Sequence, residues 1–196
     1  MFTGIIETLG RVEKIEKIDG NLQFTISCLF TNELKVDQSI SHNGVCLTVV
    51  YVNGPNYKVT AIEETLNRSN LSELEPGDII NLERCMQANG RFDGHVVQGH
   101  VDTTAICKSI SNQNGSWEFE FEYPDSTEHI TVDKGSITVN GVSLTVVHPH
   151  TNTFKVCIIP YTFEYTNFKT IKPGAKVNLE FDIIGKYVAR LLTKQG

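Results

Sequence analysis

The chain has 196 residues, 40% of them hydrophobic, and its 23 Asp and Glu outweigh 17 Lys and Arg to leave a formal charge of −6. No cluster of Lys and Arg offers the basic face that a nucleic-acid binder needs, and no apolar run approaches the roughly 20 residues that span a bilayer. Five cysteines, an odd number with no C-x-x-C pair among them, argue against a disulfide framework and against a structural zinc site.

The N-terminal "MFTGIIETLGRVEK" has no basic stretch followed by a long apolar one, and it is too acidic for a transit peptide. The expected location is therefore the cytoplasm. From there the chain reads as strands: "FTGIIETLGRVEKI", "LQFTISC", "QSISHN", "VCLTVVYV" and "YKVTAI" are short, rich in β-branched residues and separated by Gly, Asn, Asp or Pro. A short helical turn is expected within 63–71, and "DIINLE" follows the turn signal "EPG". The Gly-rich, polar "RCMQANGRFDGHVVQGH" then separates two halves, with the boundary expected near residue 97. The order returns as "VDTTAICKSI", "WEFEFEY", "GSITVN", "VSLTVVH", "FKVCII", a helical turn within 160–168, and "AKVNLEF". In the tail, Ile183, Ile184, Tyr187, Val188, Leu191 and Leu192 form an apolar stripe at helical spacing. That helix either packs back on its own domain or meets copies of itself.

The return is a true repeat. Residues 39–83 and 136–180 align without a gap at a spacing of 97, and about 19 of roughly 45 positions are identical. About six short strands per copy suggest a small barrel or sandwich in each, and so an all-β protein of two tandem domains.

Two features could carry chemistry. In "NGVCLTVV" and "NGVSLTVV", residues two apart share a face of the strand. Cys46 and Thr48 therefore point together, as do Ser143 and Thr145, away from the apolar Val45, Leu47 and Val49. The preceding Asn43-Gly44 and Asn140-Gly141 read as turn signals alone. The second feature is "GRFDGHVVQGHVD", whose glycines permit close approach of backbone to a ligand. Its His100 could serve as acid or base near neutrality. The spacing of the histidines, His95 with His100 and His148 with His150, fits no metal motif.

These strings, with "MFTGII", "NLERCMQANGRFDGHVVQGHVD" and "DIIGKYVAR", resemble in order and spacing the riboflavin synthase family, α-chain type. The resemblance implies two six-stranded Greek-key barrels, over 1–97 and 98–183, and a C-terminal helix over 184–196 that joins three chains. It implies dismutation of two molecules of 6,7-dimethyl-8-ribityllumazine, one giving a four-carbon unit to the other, without metal or cofactor. It also implies that the N-terminal barrel of one subunit meets the C-terminal barrel of its neighbour, and that the partners are the small-molecule substrate, two further copies of the chain and, in some relatives, lumazine synthase.

Carried over by motif, the first pocket would use Gly4, Ile5 and Ile6 with Cys46, Leu47 and Thr48, walled by Thr60, Ala61, Ile62, Glu63, Glu64 and Thr65. The second would use Gly99, His100, Val101 and Lys134 with Ser143, Leu144 and Thr145, walled by Cys157, Ile158, Ile159, Pro160, Tyr161 and Thr162. Phe2 would cover a ring face. His100 is the first candidate for the base, with Ser39, Cys46, Ser143 and Asp182 for proton transfer and polarisation. Tyr161 stands where some members carry an acidic residue, and Cys46 against Ser143 makes the two pockets unequal. The resemblance extends to non-catalytic lumazine- or flavin-binding antenna proteins, and a barrel without ligand is a third reading.

Overall fold

The computed structural model describes residues 1–126 and 130–193. Its first six strands are β1 (Thr8–Ile18), β2 (Asn21–Ser27), β3 (Ser39–His42), β4 (Val45–Asn53), β5 (Asn56–Ala61) and β6 (Ile79–Arg84). The second six repeat the plan as β7 (Thr103–Asn112), β8 (Trp117–Glu122), β9 (Ser136–Val139), β10 (Val142–Val147), β11 (Thr153–Ile158) and β12 (Lys176–Phe181). Pairing is antiparallel throughout, and each set closes into a barrel, in the order β1-β2-β5-β4-β3-β6 and its equivalent β7-β8-β11-β10-β9-β12. Closure removes the unpaired edges that would otherwise invite aggregation.

Alternation fills the barrels as the sequence predicts. On β4, Val45, Leu47 and Val49 are buried, Cys46 is half-buried and Thr48 is exposed. The second core is the more aromatic, with Phe119, Phe121, Phe154 and Phe168 all inaccessible. Each such side chain contributes about 1.5–3 kcal/mol on burial. His42 is enclosed in the first barrel, where its Nε2 lies 2.9 Å from the Tyr57 hydroxyl. Burial lowers its pKa to about 4, so the ring is a neutral packing element.

One expectation for the first strand is corrected. Residues 2–7 do not belong to β1, because Gly4 turns into the left-handed region at φ 78° and the neighbouring amides bond a side chain rather than a strand. Helices α1 (Glu63–Arg68) and α2 (Pro160–Tyr165) occupy the predicted turns. Ser69 and Thr166 end them alike, each hydroxyl donating at 2.7 Å to the carbonyl four residues back. Helix α3 (Ile183–Thr193) fills most of the predicted tail helix, whose residues 194–196 lie outside the described residues. Its Ile184, Tyr187, Val188, Leu191 and Leu192 are 51–68% exposed, so the apolar stripe is not packed back on its own barrel.

Six asparagines, spaced 97 apart in pairs, join the barrels. The turns Asn43-Gly44 and Asn140-Gly141 have positive φ at both residues, as a tight type I′ hairpin requires. They touch each other: a Cβ on Gly44 would stand 2.9 Å from Gly141 N, and one on Gly141 2.7 Å from Gly44 N. Asn81 Nδ2 donates to Asn140 O at 2.9 Å, and reciprocally Asn178 Nδ2 donates to Asn43 O at 2.8 Å. Asn167 N donates to Asn81 Oδ1 at 2.8 Å, and Asn70 N to Asn178 Oδ1 at 2.6 Å.

Losing a buried amide strands its partners at about 1–3 kcal/mol each. Asn178→Leu is therefore expected to destabilise the protein by about 2–4 kcal/mol in chemical denaturation, whereas Asn67→Leu, at an exposed position of α1, is expected to change it by less than about 0.5 kcal/mol.

Candidate active site

The segments that precede β1 and β7 are equivalent arms, and they cross. Phe2 and Val97 exchange backbone hydrogen bonds, Phe2 N to Val97 O at 2.8 Å and Val97 N to Phe2 O at 3.1 Å, with both side chains fully buried. Beyond this bridge each arm passes under the other copy's barrel. Ser143 N of β10 donates to Gly4 O at 2.8 Å, and Cys46 N of β4 donates to Gly99 O at 2.9 Å. A Cβ on Gly4 would fall 2.6 Å from Ser143 Cβ, and one on Gly99 2.6 Å from Cys46 Cβ. Ile6 packs on the second core and Val101 on the first.

This exchanges part of the predicted pockets. Gly4, Ile5 and Ile6 belong with Ser143, and Gly99, His100 and Val101 belong with Cys46. The carry-over by motif groups each arm with the barrel strand that follows it in the chain. The two glycines, left-handed and in contact with the opposite strand, allow the crossing.

Each arm is anchored by a buried carboxylate from its own barrel. Glu83 accepts from Thr3 N at 2.7 Å, Thr3 Oγ1 at 2.9 Å and Gly4 N at 2.9 Å. Glu180, 97 residues on, accepts from Gln98 N at 2.6 Å, Gly99 N at 2.9 Å and His100 N at 3.0 Å. Burial pushes both carboxyls up, Glu180 to about 7, opposed by its amide donors and by Lys186. The sequence reading missed both anchors; their signal was a Glu ending "NLE" in each copy.

A cavity of about 340 Å³ opens where the second arm meets the first barrel, lined by Cys46, Glu64, Thr65, Arg68, Gly99 and His100. That volume suits a small aromatic ligand. Burial raises the Cys46 thiol, while a hydrogen bond with Ser39 lowers it, so the net upward shift keeps it protonated near neutrality. Ser39 faces a larger groove of about 570 Å³ that also contains Ile5, Arg84 and Arg91.

The remaining positions divide by burial. Leu47, Ala61 and Ile158 are core residues that can offer a ligand only backbone. Thr48, Ile62, Glu63, Thr145, Cys157, Ile159 and Pro160 are exposed, while Thr60, Leu144 and Thr162 are half-buried. Lys134 is exposed at φ 62° in the turn before β9, with its N–H on Val146 O. Phe2, expected over a ring face, is closed inside the arm crossing and presents none. At the rims, an ion pair between Arg68 and Glu64 has as its counterpart a Tyr161–Tyr165 contact, ring centroids 4.5 Å apart. Asp182 accepts from Ile184 N at 3.0 Å at the start of α3. Asp102, in the second arm, binds Lys186 of the same helix at 2.6 Å. No group of His, Cys, Asp and Glu among the described residues could hold a metal.

The model of the lumazine binding domain matches residues 3–85 and again 98–182. Riboflavin synthase of Mycobacterium tuberculosis is 44% identical over 204 aligned positions, covering all of both chains. Those of Actinobacillus pleuropneumoniae and Bacillus subtilis are 40% identical, covering 100% and 99% of this chain and 91% of each relative. Among solved structures, LumP complexed with 6,7-dimethyl-8-(1'-D-ribityl) lumazine superposes with a TM-score of 0.84 at 23% identity, covering 92% of this chain and 98% of that one. That likeness is one of fold.

The anchors predict a pH signature. The folded protein holds the Glu180 proton up to about pH 7, while the unfolded chain releases it near the ordinary value of 4.5. The Glu180 contribution is thus present below pH 4.5 and lost as pH rises to 7. Denaturation at pH 4.5 and 7.5 should show wild-type stability falling more than that of Glu180→Gln, by up to about 3 kcal/mol.

Proposed function

The chain belongs to the riboflavin synthase family, and we propose that it converts two molecules of 6,7-dimethyl-8-ribityllumazine into riboflavin and 5-amino-6-ribitylamino-uracil. The observation that carries this reading is the pair of equivalent half-sites, each joining one copy's arm glycine to the other copy's strand through the same hydrogen bond. A dismutation uses two copies of one molecule, and a duplicated site holds two.

In this reading the backbone edges around Cys46 and Ser143 bind the pyrimidinedione of each ring. The hydroxyls of Thr48, Thr65, Thr145 and Thr162, with Lys134, bind the ribityl chains. The substrate's C7-methyl protons are acidic because the carbanion delocalises into the ring. Alignment of two rings then supplies much of the rate, with His100 taking the proton and Ser39, Cys46, Ser143 and Asp182 assisting transfer. No metal or cofactor takes part.

We take 1–97 and 98–183 as the two domains, each a Greek key, and 184–196 as an oligomerisation helix. Its exposed apolar stripe favours association, and three copies would bring the first barrel of one subunit to the second barrel of the next. The setting we propose is cytoplasmic, with lumazine synthase a further partner. A binding protein without turnover is the alternative, and the assay separates the two.

Purified protein given the lumazine alone is expected to form one riboflavin per two substrates consumed, followed by absorbance. His100→Ala should lower kcat about 10²-fold or more. Binding without conversion by the wild type would replace the enzyme with the carrier reading. Ending the chain at residue 183 should yield monomers in sedimentation that still bind ligand and have lost turnover. Full activity in such monomers would overturn the shared site.

A further inference from the structure

We propose that Lys186 of α3 is a positioning residue for His100, clamping the second arm to its barrel through Asp102, so that the tail helix helps to set the first half-site. The part given to His100 rests on the dismutase reading. Each arm is tied twice to the last strand of its own barrel. One tie is the buried carboxylate, Glu83 or Glu180. The other runs in the opposite sense, from an arm carboxylate to a strand amide. Glu7 N donates to Leu82 O at 3.0 Å, and Glu7 Oε1 accepts from Arg84 N at 2.7 Å. Asp102 N donates to Leu179 O at 2.9 Å, and Asp102 Oδ2 accepts from Phe181 N at 2.9 Å. Glu7 and Asp102 are 95 apart, as are Gly4 and Gly99, and their strand partners are 97 apart. The same tie is made twice.

The copies part at the cation. In the first, the strand supplies it: the Arg84 guanidinium donates to Glu7 Oε2 at 2.6 Å and to Glu33 Oε2 at 2.7 Å. Phe181 stands at the matching position, so the second strand has no charge to offer there. Lys186 supplies it from α3 instead, with Nζ 2.6 Å from Asp102 Oδ2 and 2.7 Å from Oδ1. Asp182 accepts from Ile184 N at the start of the helix, and Lys186 follows one turn later, its N–H on Asp182 O at 3.3 Å. The same ammonium favours the charged form of Glu180 against burial. One cation thus serves both carboxylates that hold residues 98–102. The match to Lys186 in the first copy is Asn89, exposed in the linker after β6.

The first arm is therefore clamped from within its own barrel, and the second draws on the tail. Without Lys186, Asp102 and Glu180 lose the charge-assisted partner they share. The arm loosens where it carries His100, two residues from Asp102. A reacting group displaced by about 1 Å can lose about 10²-fold in rate.

The test joins kinetics to hydrogen exchange. Lys186→Met should lower kcat about 10-fold or more and leave KM within about threefold, with association unchanged in sedimentation. Lys186→Arg keeps the charge and should restore kcat to within about threefold of wild type. Against His100→Ala the Lys186→Met change should cost less than about twofold, as residues acting as a unit require. Exchange gives a reading without substrate. In Lys186→Met the amides of residues 98–100 should exchange about 10-fold faster or more, while those of Thr3 and Gly4 on Glu83 keep their wild-type rates. Asp102→Asn should repeat the pattern and stands in if Lys186→Met does not fold. Arms that quicken together or not at all, a loss that persists in full without His100, or no rescue by arginine would each overturn the clamp. A wild type without turnover would overturn the dismutase reading alone, and the exchange of the two arms would still uphold or overturn the clamp.

Discussion

Buried amide groups at the seam between the barrels fix everything that follows from them. An interface between two copies of one sequence must be complementary to itself. Charged residues fail that test, because each would face its own kind in a low dielectric. Asparagine passes, since its amide both donates and accepts. Asn81 and Asn178 reach reciprocally into the turns of the opposite copy, and Asn70 and Asn167 close the ring behind them. Among the described residues the match is imperfect at Asn70 Oδ1, which has no hydrogen-bond partner. Two glycine turns in contact set the spacing of the barrels, and with it where an arm leaving one barrel lands on the other.

That landing makes the half-sites. The arm crossing cannot be displaced cheaply, because three donors on each anchoring carboxylate would lose a charge-assisted partner. Burial nevertheless acts against the charge on Glu180, strongly enough to bring its titration near neutrality. Anchoring and ionisation are therefore coupled. The same arm carries His100, and through Asp102 and Lys186 it is tied to the base of α3. Arm, anchoring carboxylate and C-terminal helix form one connected piece.

The copies have diverged where ligands would touch them and have stayed alike where they touch each other. Asparagines and arm glycines match at their equivalent positions. Cys46 against Ser143 and the Glu64–Arg68 rim against the Tyr161–Tyr165 rim do not. Equal scaffolds with unequal linings fit a reaction in which two identical molecules meet different fates.

Much of this was legible in the residues. Alternation gave the strands and the outward Cys46–Thr48 pair, because burial of one face imposes period two. The repeat gave two domains, and the tail stripe gave a helix. What spacing could not give was which copy an arm serves. Gly4 lies nearest in sequence to β1, yet contacts β10, because the left-handed glycine turns it away from its own barrel. Nor could it reveal the Asn-Gly turns as an interface, since a turn motif specifies local dihedrals and not what packs upon it. The buried anchors Glu83 and Glu180 were hidden for the same reason. Periodicity and duplication are local properties that a sequence states outright; the exchange of arms between barrels depends on the distance across a seam, which exists only once both barrels have folded.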